Sequence, residues 1–290
     1  MSLSQLLLDY NWRKPATAQP LKGYGSDIDE MIANLDAAPL VLLRLGCYLQ
    51  HHLRRSDEAA LVLDHVRSNP GDLSAEDIAW ATNNLAYALM NGSSKLDMVT
   101  HQYADKLLIP LESHENVRIA SFATRIKGQM HFNKAEMADN FSDSSKAISF
   151  GIALCVQGVE KLDPTDPDDL TEIARTYNNN AVKILKLNVR FPANVTKDNV
   201  EKGLAQAQHA CTMWETYSKA TEHAEYRGRS YRTLGELQLE LYGLTQDKAD
   251  IENARTNLEK AQGLLKDATD LDSVAMSLQV IEAVLGPRKS

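Results

Sequence analysis

Paired carboxamides are the residues in this sequence whose type and placement most suggest chemistry. Asn83-Asn84 sit inside ATNNLAYAL (81–89), and Asn178-Asn179 sit inside YNNNAVKIL (177–185). One amide offers two donors and an acceptor. It can hold both the N–H and the C=O of an extended chain without reading side chains. Asparagine is also a mediocre helix former that competes for backbone hydrogen bonds. Amides in the middle of a helix therefore need a compensating partner: a bound ligand, or buried polar groups between helices.

Other chemistries leave weaker traces. The fourteen glycines are scattered and form no phosphate-binding loop, and neither G-x-S-x-G nor H-E-x-x-H occurs. His51-His52 are adjacent, so they point to different sides of a helix, and His209 and Cys211 fail as a ligand pair for the same reason. His131 reads as a solvated surface histidine. The acidic run DPTDPDD (163–169) lacks the order and closing glutamate of a calcium loop and reads as a solvated connection. Trp80 and Trp214 lie at apolar helical positions and are expected in the core. The three cysteines, Cys47, Cys155 and Cys211, are far apart within apolar patterns and are expected as buried free thiols. No metal or cofactor is expected.

Composition narrows the partners. The net charge is −8, hydrophobic residues make up 43% and aromatics 6%. No basic run exceeds Arg54-Arg55, so the phosphate-neutralising stripe of a nucleic-acid binder is missing. Acidic membranes are disfavoured on the same ground. No apolar run approaches the roughly 18–20 residues that span a bilayer, and MSLSQLLLDYNWRK reads as no signal peptide. A cytoplasmic location is expected.

The elements that must position these side chains are helices. Apolar spacing is helical nearly throughout, with breaks at KPATAQP (14–20), SNPGD (68–72), NGSS (91–94), IPLESHE (109–115), LDPTDPDD (162–169), RFPANVTKD (190–198) and YGLTQDKAD (242–250). Ser74 followed by Asp77 reads as a helix N-cap. The helical pattern repeats. Leu42, Leu45-Gly46 and Leu49 are followed by Ala59, Leu63, Val66 and a closing Pro70. Near the other end come Tyr231, Leu234-Gly235, Ala254, Leu258 and Ala261. A small residue at Gly46 or Gly235 lets one helix approach the next closely, and the large residues fill the seam. Between these lie weaker units around Ala86, Lys127 and Ala181, with Lys127 standing where a small residue is expected. The five positions are 40, 41, 54 and 54 residues apart.

Over about residues 38–265 this pattern resembles a degenerate tetratricopeptide repeat, whose consensus period is about 34. The resemblance implies an all-α, right-handed α-solenoid of about five helix-turn-helix repeats. Residues 1–37 would be an N-terminal arm and lead-in helix. Residues 266–290 would supply a capping helix, with Val274, Leu278, Ile281 and Leu285 as its inner stripe. In that family the first helix of each pair lines a concave groove where peptides or partner helices bind. The same register turns Asn83, Asn84 and Tyr87 to the groove, with Asn178 and Asn179 in the fourth unit. Arg44, Arg125 and Arg232 follow in the first, third and fifth. Arginine takes carboxylates in bidentate fashion, so the implied partner is an acidic peptide or protein, or a chain ending in a free carboxylate.

The expected function is a non-enzymatic protein- or peptide-binding scaffold or adaptor. Alternatives are a regulatory sensor that binds a signalling peptide and switches a partner, and an enzyme with an unrecognised helical active site. The mark of the last would be acidic or histidine pairs one helical turn apart, and none stands out. A homo-oligomer that stacks through its solenoid ends is a further alternative.

Overall fold

The computed structural model describes residues 2–10, 23–216 and 223–286. Trp12, the two prolines of the expected arm and Pro287 lie outside the described residues. The chain is all-α: thirteen α-helices among the described residues, packed mostly against their sequence neighbours. No helix among the described residues is long and apolar enough to cross a membrane. The chain divides into two compact units, residues 1–137 with 153–161, and residues 138–152 with 162–290.

The first unit begins with α1 (Leu3–Asp9), α2 (Gly25–Asn34) and α3 (Pro39–Tyr48). Leu3, Leu7 and Tyr10 are buried and α1 packs on α3, so the start of the chain is tied to the body. Beyond Tyr48, residues Leu49–Leu53 widen into one π-helical turn, which Arg54 closes at φ 55°. Then come α4 (Ser56–Ser68), α5 (Ala75–Leu89), α6 (Met98–Leu108), a short 3-10 turn at Ile109–Leu111, and α7 (Val117–Met137). The Ser74 cap forms as expected: its Oγ accepts from the Asp77 N–H at 3.1 Å and donates to the Asp77 carboxylate at 2.7 Å.

The boundary between units passes through α8 (Phe141–Val159). The second unit continues with α9 (Pro167–Arg190), α10 (Lys197–Thr216), α11 (Ala224–Thr245), α12 (Lys248–Gln262) and α13 (Ala268–Leu285). The acidic loop before α9 has a local task. Asp166 caps the helix through the Asp168 and Asp169 N–H groups, Asp163 accepts from Thr165, and buried Asp169 accepts from the Asp163 N–H. On α13, Val274 and Ile281 are fully buried, and Leu278 and Leu285 pack beside them. Its opposite side exposes Met276, Val280 and Val284 together with the polar Asp272 and Gln279.

Small residues set how closely the pairs approach. A Cβ added at Gly46 would lie 2.6 Å from Leu63 Cγ, so α3 and α4 meet through that hydrogen. A Cβ at Gly235 would lie 2.7 Å from Leu258 Cγ and 3.1 Å from the Ala254 carbonyl, which is the same contact between α11 and α12. Ala86 and Ala181 are fully buried. The third unit departs from the pattern for a physical reason. Lys127 is half-buried and its Nζ bridges Glu112 at 2.6 Å and Asp105 at 3.3 Å. Close approach is supplied instead from α8, where Gly158 lies against Arg125 and the Ser121 carbonyl.

Gly46→Val therefore overpacks the α3–α4 contact and is expected to cost about 1–3 kcal/mol. Gly243 has open space around it, and Gly243→Ala is expected to stabilise by about 0.5–1 kcal/mol. Thermal and urea unfolding of the two variants check the opposite signs.

Candidate functional site

The first unit assembles a strip of half-buried rings and one guanidinium from three elements. The π-turn aims the adjacent histidines apart. His52 turns inward, stacking on Tyr48 at 5.1 Å and meeting Tyr10 at 5.6 Å. Burial lowers its pKa from the usual 6.5. His51 turns to α5, stacking on Tyr87 at 5.8 Å, and its Nε2–H donates to Asn84 Oδ1 at 3.3 Å. Tyr87 meets Phe122 of α7 at 5.6 Å, Phe122 meets Trp80 at 6.1 Å, and the Arg125 guanidinium lies 5.4 Å over the Phe122 ring. His51, Trp80, Tyr87, Phe122 and Arg125 are all partly exposed. Each such ring contact contributes about 0.5–1.5 kcal/mol, so these side chains are ordered against one another before any ligand arrives.

The asparagines divide differently from expectation. Asn83 is fully buried, and its Nδ2 donates to the Ile119 carbonyl at 2.9 Å. Asn84 is 3% exposed, with Nδ2 on the Trp80 carbonyl at 2.9 Å and Oδ1 on His51. The expectation that both turn away from the packing seam is corrected. Asn83 ties α5 to α7 and Asn84 fixes the π-turn. The carboxamide of Asn133, also fully buried, holds the Met90 carbonyl at 2.9 Å and the Lys95 carbonyl at 3.3 Å. Arg44 is likewise used at home, its Nη1 donating to the Leu7 carbonyl at 3.2 Å across to α1. Of the residues expected on the groove in this unit, Arg44, Tyr87 and Arg125 are partly exposed, and the last two meet through Phe122.

In the second unit Asn178 is half-buried and Asn179 exposed. The amide that packs is Asn180, fully buried and donating to Gln206 Oε1 at 3.0 Å. Arg232 is committed within the fold: Nη1 pairs with Asp270 and Nε lies 3.7 Å from Glu236. Arg229 Nε binds the other Asp270 oxygen at 2.7 Å. Burial alone would raise the Asp270 pKa, but its two arginines hold it below the ordinary value.

Beside this lies a carboxyl pair one turn apart on α11. Glu236 accepts from Ser273 Oγ at 2.8 Å and Glu240 from Asn188 Nδ2 at 2.7 Å. Burial raises both pKa values, and the Glu236 charge raises Glu240 further. Its signal in the sequence is the E-x-x-x-E of GELQLEL. Such a pair could transfer protons. Here the two carboxyls are hydrogen-bonded to α13 and α9, which suits a polar seam.

Three further placements bear on the sequence reading. Trp214 is buried, with Nε1–H donating to Ser230 Oγ at 3.1 Å, and Trp80 is partly buried, packing against the core while its ring also borders the strip. Cys47, Cys155 and Cys211 are all buried free thiols, and burial pushes Cys211 up to about 12. His131 is not simply solvated: it is half-buried and lines a cavity of about 320 Å³ in the first unit. Among the described residues no group of three or more histidine, cysteine or acidic side chains is placed to hold a metal ion. Compared with protein-family models, curated proteins and solved structures, the chain matches none of them.

Two expectations follow. Asn83→Ala removes a buried hydrogen bond and should cost about 1–3 kcal/mol, while Asn179→Ala should stay within about 0.5 kcal/mol; urea unfolding separates them. Glu240 binds its proton more tightly folded than unfolded, so its contribution to stability falls as pH rises from the ordinary 4.5 through its raised folded value. Glu240→Gln should lose less melting temperature than the parent chain between pH 5 and pH 8. Equal losses would contradict the assignment.

Proposed function

We propose that this chain is a tetratricopeptide-like helical-repeat scaffold that binds a protein or peptide partner on the His51–Tyr87–Phe122–Arg125 strip of the first unit. The observation that carries the reading is the strip itself: rings and a guanidinium drawn from the π-turn, α5 and α7, pre-stacked and still half-exposed. Aromatic and arginine side chains dominate binding hot spots, and side chains already held by their neighbours lose little freedom on binding. The repeat geometry is supported by the sequential helix pairs and by the matching Gly46–Leu63 and Gly235–Leu258 contacts. Arg125 suits an acidic side chain or a chain-terminal carboxylate, and the strip fits an adaptor acting in the cytoplasm. Asn83 and Asn84 serve it as internal struts.

Self-association is a second reading with its own observation, the exposed Met276, Val280 and Val284 on the outer face of α13. Exposed apolar side chains grouped on one helix face favour self-association.

The test is capture of partners from the native source, followed by affinity measurements with the parent chain, Tyr87→Ala and Arg125→Glu. Each substitution is expected to weaken binding at least about tenfold, as hot-spot truncations do, while circular dichroism stays helical. Unchanged affinity in both variants would remove the strip from the interface. Light scattering at several concentrations, with Val280→Glu for comparison, reads out the second reading: a mass that rises with concentration and falls back in the variant supports it.

A further inference from the structure

The cavity beside α6 and α7 has a chemistry distinct from the strip. It is lined by Met98, His101, Gln102 and Asp105 of α6, by Lys127, Met130, His131 and Lys134 of α7, and by Leu154 of α8. All lie in the first unit. On α7 the lining positions fall on the side of the helix roughly opposite Phe122 and Arg125 at about 100° per residue. The cavity and the strip therefore cannot share one contact surface on this helix.

Its two lysines are placed differently. Lys127 is paired with both Asp105 and Glu112. Lys134 is exposed and has no acidic partner among the described residues. Two imidazoles add polar edges. His101 is 2% exposed, and its Nε2–H donates to the Lys95 carbonyl at 2.7 Å, while Nδ1 is buried with no hydrogen-bond partner. With Nε2–H engaged, the neutral ring's Nδ1 is an acceptor, so His101 shapes the wall and offers an anion no donor. His131 has a lowered pKa, first through burial and then through the nearby Lys134, His101 and Lys127, with Asp105 acting in the opposite sense. The walls between these groups are apolar: Met98, buried Met130 and Leu154. A volume of about 320 Å³ lies at the lower end of ligand-sized cavities.

We propose that this cavity is a binding site for an organic carboxylate with a short apolar body. One unpaired lysine matches a single negative charge better than a dianionic phosphate. Two methionines and a leucine form an adaptable apolar wall. The carboxylate could belong to a free acid or to the last residue of a peptide, and the same chemistry serves both. The site goes beyond the proposed scaffold function and stands or falls separately from the strip.

The test uses the full chain labelled with ¹³C at methionine methyl groups, with Met98 and Met130 assigned by single Met→Leu changes. Hexanoate and N-acetyl-leucine are titrated, each against its amide. At least one acid is expected to shift both methyl signals saturably, and the amides are expected to shift them far less. Lys134→Ala should weaken that acid about fivefold or more, with Lys202→Ala as a control that changes nothing. Binding should tighten as pH falls from 8 to 6, because the anion favours the protonated His131 facing Lys134, Lys127, His101 and Asp105. Tighter binding of hexanoate assigns the site to free acids; tighter binding of N-acetyl-leucine assigns it to peptide ends. Absence of any shift up to about 10 mM, equal binding of acid and amide, or an unchanged affinity in Lys134→Ala overturns the proposal. None of these readouts involves Tyr87 or Arg125, so the failure of either reading leaves the other intact.

Discussion

Close approach of neighbouring helices at small residues is the constraint on which both units depend. Where Gly46 meets Leu63 and Gly235 meets Leu258, a missing side chain lets a branched leucine rest on backbone. Side chains in such a seam must fit to within a methyl group, since interiors are packed at crystal-like density. Large residues are thereby confined to the flanks of each helix. Carbonyls and rings on the remaining sides need partners or water. The polar and aromatic features of the molecule occupy those remaining sides.

Within the first unit the flanks separate into two kinds of surface. Amides close the interior: Asn83, Asn84 and Asn133 each donate to a main-chain carbonyl, two of them across to another element. Rings and Arg125 then cover the outside of that amide layer. Asn84 links the two, because it holds the Trp80 carbonyl from below and receives His51 from above. On the π-turn, His51 reaches α5 while His52 turns to Tyr48. In the second unit the corresponding position between helices is taken by the Arg229–Asp270–Arg232 cluster and the two raised carboxyls.

Much of the fold was legible because helical periodicity and glycine spacing are local signals. The Ser74 cap, the inner stripe of α13, and the Gly46 and Gly235 contacts could all be read from residue order. The direction in which a given amide points was not legible. Asn83 and Asn84 differ by about 100° around α5, and the burial of both depends on where α7 and the π-turn lie, which no short window of sequence reveals. The same limit hid the strip: His51 and Phe122 are 71 positions apart and meet only through Tyr87. Lys127 shows the converse. Its size forbade the expected close approach, and α8 supplied Gly158 instead. The carboxyl pair on α11 was visible as E-x-x-x-E, but its burial required α9 and α13.

The central claim is that the ring strip, and not the amides beneath it, meets the partner. Hydroxyl-radical footprinting reads this at the side chains concerned. In the free chain His51, Trp80, Tyr87 and Phe122 should oxidise readily while Tyr48 and Trp214 stay protected. On addition of a captured partner, those four should lose reactivity together. Reactivity at all four that is unchanged with the partner bound would contradict the account.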